Sequence, residues 1–184
     1  MKGGSEARLL FQQLQNADGE AVLVKLHHLY FSRIFKLIHS LVKQRESAEE
    51  LASDVFVQLW LRREKLSEVI NPEVYLYVIA RNKAFTFLKQ KLHLTEPLDN
   101  IEDFRLEVAR SPEELLISSE MLHRVNAAIN QLPPKCKLIF MLVKEESFKY
   151  RDAAEILGIS PKTVETQMGI ALKKLSKAFT FSTT

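Results

Sequence analysis

Apolar and polar positions along this chain alternate with the period of a helix. Leu26, Leu29, Tyr30, Ile34, Leu37, Ile38 and Leu41 recur at three- and four-residue intervals, which predicts a long amphipathic helix from about Glu20 to Lys43. Ser47, followed three residues on by Glu50, has the form of a capping box and predicts a helix through Trp60. Asn71-Pro72 supplies an N-cap and a first-turn proline for a helix from about Glu73 to Leu92. Residues 93–110 sustain no helical stripe. Ser111-Pro112-Glu113-Glu114 restarts a helix, which Leu132-Pro133-Pro134 breaks. A further helix then runs to about Lys144, followed by two more over about Tyr150–Leu157 and Pro161–Ala178.

The expected fold class is all-α: two small helical domains, residues 1–92 and 112–184, joined by a linker over 93–111. Only five glycines punctuate the 184 residues, and long segments lack both Gly and Pro, which supports the helical reading. There are no internal repeats and no low-complexity tracts.

Charge adds a pattern that the net value of +3 conceals. Met1 to Leu92 carries 14 basic and 10 acidic residues, His93 to Glu120 carries 2 and 8, and Met121 to Thr184 carries 10 and 5. Two basic blocks flank an acidic strap. Basic blocks can track phosphate, whereas the strap is either solvated or meets a basic surface.

Residues Tyr150 to Gly169 read as helix, tight turn, helix. Ala154 is small where the helices would cross, Gly158 stands where reversal needs positive φ, and Ile159 and Val164 supply apolar contacts. Ser160-Pro161 caps the second helix. A helix of this kind enters a DNA major groove by its first turns. Lys162, Glu165, Thr166 and Gln167 are the candidate base-facing residues, with Lys173, Lys174 and Lys177 in reach of phosphate. A plain helical hairpin is the alternative.

In the first domain, Tyr75, Tyr77, Arg81, Asn82, Lys83, Phe85, Phe87, Lys89 and Lys91 interleave aromatics with bases. Unpaired nucleotides bind to such mixtures by stacking and charge. About half of these aromatics belong to the core, since opposite sides of one helix cannot all face DNA. Asn82 hydrogen-bonds either a base edge or a neighbouring backbone group. Glu50, Asp54 and Gln58 form a polar stripe beside Leu51, Val55 and Trp60, which is either a docking surface or a solvated face.

Catalytic signatures are missing: the chain has no phosphate-binding glycine loop, no zinc-protease HExxH and no nucleophile elbow. His27 and His28 diverge on a helix, and His39, His93 and His123 lack spaced ligand partners. Cys136 is the sole cysteine and sits in an apolar helix, so neither a disulfide framework nor a cysteine zinc site is expected. No enzyme activity, cofactor, metal or small-molecule substrate is expected. With no run of 18 apolar residues and no secretory h-region at Met1 to Ser5, the expectation is a cytoplasmic protein.

Four segments, a pair on each side of the linker, carry a family resemblance in order. AEELASDVFVQLW (Ala48–Trp60) and YLYVIARNKAFTFLK (Tyr75–Lys89) precede the linker, and LPPKCKLIFML (Leu132–Leu142) and YRDAAEILGISPKTVETQMGIALKKL (Tyr150–Leu175) follow it. The whole resembles a bacterial RNA polymerase sigma factor of the extracytoplasmic-function group, with a region 2-like domain, the acidic linker and a region 4-like helix-turn-helix domain. The resemblance implies a factor that binds core RNA polymerase and directs promoter-specific initiation.

It also implies roles. Glu50, Asp54 and Gln58 would face the β′ clamp helices, with the β subunit a further contact. Arg81, Asn82 and Lys83, with Arg62, Arg63 and Leu66 in the loop from Arg62 to Ile70, would hold −10 DNA and a flipped base. Lys162, Thr163, Glu165, Thr166, Gln167, Lys173 and Lys174 would bind the −35 element. The linker would thread the polymerase's RNA channel, and an anti-sigma factor, in many members a membrane protein, is an implied partner. Departures from the family pattern are Gly169-Ile170, where many members have a basic residue, and Leu66, where some have an aromatic. Another kind of helix-turn-helix regulator and a protein-binding helical adaptor are the alternative functions.

Overall fold

The computed structural model describes residues 3–16, 18–92 and 120–180, which are helical with no strand among them. The chain divides into two compact units, Met1–Glu96 and Pro97–Thr184. The expected linker over 93–111 and the helix start at Ser111-Pro112 lie outside the described residues.

The N-terminal unit holds α1 (Gly3–Gln13), α2 (Gly19–Val42), α3 (Arg45–Leu61) and α4 (Pro72–Leu92). Its central element is α2, which packs on both α3 and α4. The stripe Val22, Leu26, Tyr30, Ile34, Leu37, Ile38 and Leu41 is buried along its length. From α3 come Ala48, Ala52, Val55, Phe56 and Leu59, spaced to face α2. Helix α4 buries Val74, Leu76, Tyr77, Ile79, Ala80, Ala84 and Leu88, more than one face of a helix, because α1, α2 and α3 all pack on it. Each large side chain removed from water in this core contributes about 1.5–3 kcal/mol.

Helix α1 was not predicted. Its apolar stripe, Ala7, Leu10, Phe11 and Leu14, is short and follows two glycines, so the periodic signal is weak. The stripe is nonetheless buried, and Phe11 meets Tyr75 of α4 edge-on, with 6.4 Å between ring centroids.

The corner between α2 and α3 corrects the expected helix start. Lys43 is left-handed at φ 62°, and its N–H returns to the His39 carbonyl at 3.0 Å. The chain reverses so sharply that α3 opens at Arg45, with the Gln44 carbonyl accepting from the Ala48 N–H at 2.9 Å. Ser47 therefore lies inside the first turn instead of capping it, and its hydroxyl bonds Gln44 Oε1 at 3.3 Å. The start of α4 follows the sequence: Asn71 Oδ1 accepts from the Val74 N–H at 3.4 Å, with Pro72 beside it.

In the C-terminal unit, α5 (Glu120–Asn130) ends before Pro133-Pro134, and α6 (Pro134–Phe140) begins on the second proline. A π-helical turn over Met141–Glu145 extends α6, closed by the Glu146 N–H bonding the Met141 carbonyl at 3.0 Å. Helices α7 (Tyr150–Leu157) and α8 (Pro161–Thr180) follow. Val164, Met168, Ala171 and Leu175 of α8 are buried at helical spacing, and α8 packs on α5, α6 and α7.

Candidate nucleic-acid interface

The joint between α7 and α8 is built from backbone chemistry that the sequence specifies. Gly158 is left-handed at φ 68° and ψ 35° and ends α7. Its N–H bonds the Glu155 carbonyl at 3.2 Å, and the Ile159 N–H bonds that of Ala154 at 3.0 Å, so the last carbonyls of α7 are satisfied as the chain turns. Ser160 Oγ then accepts from the Thr163 N–H at 3.0 Å and caps α8. Ala154 is buried under the crossing helix, as its small size requires.

Capping and burial together set which side of α8 faces outward. Lys162, Glu165, Thr166, Gly169 and Lys173 fall on one exposed stripe, opposite the buried Val164, Met168, Ala171 and Leu175. Lys162 Nζ pairs with Glu165 Oε2 at 2.8 Å, but both groups are well exposed, so the pair is weak and easily exchanged for a ligand. The Thr166 hydroxyl donates to the Lys162 carbonyl at 2.9 Å. Lys174 and Lys177 are also exposed. Thr163 and Gln167 differ from the other expected residues: both are half-buried, Thr163 against the Ser160 hydroxyl at 2.9 Å and Gln167 through Oε1 to Cys136 Sγ at 2.8 Å.

Around Asn82 the N-terminal unit forms a second cluster. Asn82 is exposed, and its Oδ1 accepts from Arg81 Nε at 3.1 Å and Nη2 at 2.7 Å. The Arg81 guanidinium also lies 5.7 Å from the centre of the Phe85 ring, and its burial lowers its pKa. Lys83 Nζ of α4 meets Asp54 Oδ2 of α3 at 3.0 Å. One expected DNA contact and one expected polymerase contact are thus bonded to each other.

The loop after α3 is less open than expected. Arg62 is exposed, but the Arg63 guanidinium lies 4.3 Å from the centre of the Trp60 ring and donates to the Trp60 carbonyl at 3.0 Å. Leu66, expected among the base-contacting residues, is only 2% exposed, which corrects that reading. An apolar side chain in a short 3-10 turn (Arg63–Glu68) is driven inward, where Leu66 anchors the loop from beneath. Tyr77 is fully buried and Tyr75 half-buried, so they are core residues, not stacking platforms.

On α3, Glu50 and Asp54 are exposed and Gln58 is half-buried. Val57 and Leu61 complete the same face at 55% and 73% exposure, and sequence reasoning missed both. Their signal was available in the spacing 50, 54, 57, 61, which is one side of a helix. Also missed was the tie between α2 and α4, in which the Tyr30 hydroxyl donates to Glu73 Oε1 at 2.8 Å while Arg33 lies 3.7 Å from the same oxygen. Burial, followed by the bond to Glu73, pushes the Tyr30 pKa well up.

Among the described residues no group of three His, Cys, Asp or Glu side chains could hold a metal ion, and no helix is long and apolar enough to cross a membrane.

The chain matches two family descriptions in order: Sigma-70 region 2 over residues 26–92 and Sigma-70, region 4 over residues 122–175. Among curated proteins it is similar to two from Bacillus subtilis (strain 168). The ECF RNA polymerase sigma factor SigX is 20% identical over 83% of this chain and 80% of that protein. The ECF RNA polymerase sigma factor SigW is 22% identical over 90% of this chain and 92% of that protein. Two solved structures share the fold. The sigma factor RpoE, in complex with the anti-sigma factor NepR from Bartonella quintana, has a TM-score of 0.61 and 22% identity, covering 86% of this chain and 96% of that one. CnrH, in complex with the cytosolic domain of CnrY, has a TM-score of 0.61 and 18% identity, covering 96% of this chain and 98% of that one.

Proposed function

This chain belongs to the sigma-70 family, in its extracytoplasmic-function group of promoter-recognising sigma factors, and from that premise we propose how its two units divide the work. The C-terminal unit reads duplex −35 DNA through the exposed stripe Lys162, Glu165, Thr166 and Lys173. Lys162 and Glu165 exchange their mutual pair for base or phosphate contacts, a glutamate being able to accept from cytosine N4. Lys173 and Lys174 track phosphate, and Thr163 and Gln167 contribute from the edge of the stripe.

The N-terminal unit docks on core polymerase by α3. Glu50 and Asp54 supply charge and Val57 and Leu61 supply apolar surface for the β′ clamp helices, with Gln58 at the border. Arg81, Asn82 and Lys83 face the −10 strand, with Arg62 and Arg63 from the neighbouring loop. A base lifted from the duplex exchanges the Arg81–Asn82 bonds for bonds to its own edge, which stabilises the opened strand. The linker, with its excess of acid, passes through the RNA channel of the polymerase. An anti-sigma factor completes the partner set, as one does for the RpoE relative. The working location is the cytoplasm, where polymerase and promoter are found.

The observation that carries this reading is the capped, outward-facing α8 held by a left-handed glycine, in a chain whose other unit presents an exposed asparagine bonded to a half-buried arginine on one helix. The test is transcription of a genomic fragment library by core polymerase with and without the protein. New start sites preceded by a shared pair of elements are expected. No new starts, together with no recovery of core polymerase at low salt, overturns the proposal.

A further inference from the structure

Cys136 has no part in the interfaces above, yet it is bonded to the DNA-facing helix. Its side chain is 1% exposed, in the cluster with Leu132, Ala171 and Leu175 that seats α8 on α6. The thiol donates to Gln167 Oε1 at 2.8 Å. Burial raises the thiol pKa, against the pull of Lys174 and Lys135, so the group remains a protonated donor at neutral pH.

A glutamine amide reads adenine by turning both its oxygen and its nitrogen to the base edge. Here the oxygen is turned toward a thiol inside the unit, so the opposite end of the amide, Nε2 with its two N–H donors, is the end turned away from the thiol. We propose that Cys136 is a positioning residue for −35 specificity: by holding Gln167 Oε1 inward, it makes Gln167 a donor to acceptor edges, guanine N7 and O6 or thymine O4, and disfavours adenine. The inference rests on α8 being the helix that reads the −35 element.

The test uses holoenzyme reconstituted with core polymerase on promoters randomised in the −35 element, comparing the wild type with Cys136→Ala, Cys136→Ser and Gln167→Ala. Cys136→Ala frees the amide, and use of adenine at the position read by Gln167 rises roughly fivefold or more, with other positions unchanged. Cys136→Ser keeps a donor in place and retains the wild-type profile. A Cys136→Ala profile identical to wild type, a uniform loss at every position, or a Cys136→Ser profile matching Cys136→Ala overturns the proposal. If Gln167→Ala alters no position, the fault lies instead in the reading of α8 at this residue, and the proposal falls with it for that separate reason.

Discussion

Asn82 shows why a residue's role is only half visible in sequence. Its position on α4 among basic residues leaves a base edge and a local partner equally open, and in the fold its carbonyl accepts two bonds from Arg81, so a base bound there would displace a charged donor. Removing the side chain should weaken capture of an unpaired base by about 1–2 kcal/mol, the scale of hydrogen bonds to a base edge. Asn82→Ala should therefore reduce permanganate reactivity of the opened strand about tenfold while duplex −35 binding is unchanged; equal losses in both assays would remove the role. His27 is a second case. Its ring stacks on Phe31 at 4.6 Å and lies 4.9 Å from Phe56, and burial, then His28, holds its pKa below the ordinary 6.5. The folded chain thus binds this proton less readily than the unfolded chain. Its stabilisation is full above 6.5 and is lost as pH falls through the lower, folded value. The melting temperature should drop between about pH 7.5 and about pH 5.5, and His27→Phe should flatten that slope. Neither Leu66, which is buried, nor Gln167, which is half-buried, could be placed from sequence, because which side chain turns inward is decided by partners on other elements.

Elements were more legible than residues wherever backbone chemistry is local. The breaks at Pro133-Pro134 and Gly158 and the caps at Asn71 and Ser160 lie where sequence puts them, since φ restriction and short polar side chains act within one turn. The α2–α3 corner escaped because Lys43, a residue with no turn preference, adopts φ 62°, and α1 escaped because its burial depends on α4. Three glycines give separable predictions. Gly158→Ala places a Cβ in the left-handed region and should destabilise the chain by about 1 kcal/mol, read as a lower melting temperature. At Gly19 an added Cβ would run into the Leu14 carbonyl oxygen, with the Trp60 ring 3.2 Å away, so Gly19→Ala should destabilise by forcing the α1–α2 corner apart. Gly169 is the opposite case. It lies within α8, and apart from its chain neighbours and the helix's own backbone no atom comes within 4 Å of an added Cβ, so Gly169→Ala should stabilise the chain by about 0.5–1 kcal/mol and raise the melting temperature.

At the scale of the whole chain the deciding quantity is charge order. Each basic block alone would bind any duplex, and non-specific affinity grows with every phosphate neutralised. The acidic residues between Glu96 and Glu120 bring the chain's net charge down to +3. If α4 and α8 contact DNA as proposed, these residues would oppose non-specific binding and leave discrimination to those few contacts. The charge order itself is legible in sequence alone, because it survives without knowledge of the fold. It also yields a prediction independent of any side-chain geometry. Changing Asp99, Glu102, Asp103 and Glu107 to amides removes four negative charges. The variant should bind random duplex more tightly at low salt and lose that affinity more steeply as salt rises, with a slope larger by up to about 0.9 for each additional phosphate engaged. Paired measurements of random-duplex and promoter binding across a salt series check it. If the variant matches the wild type in both slope and affinity, the acidic segment does not restrain DNA binding.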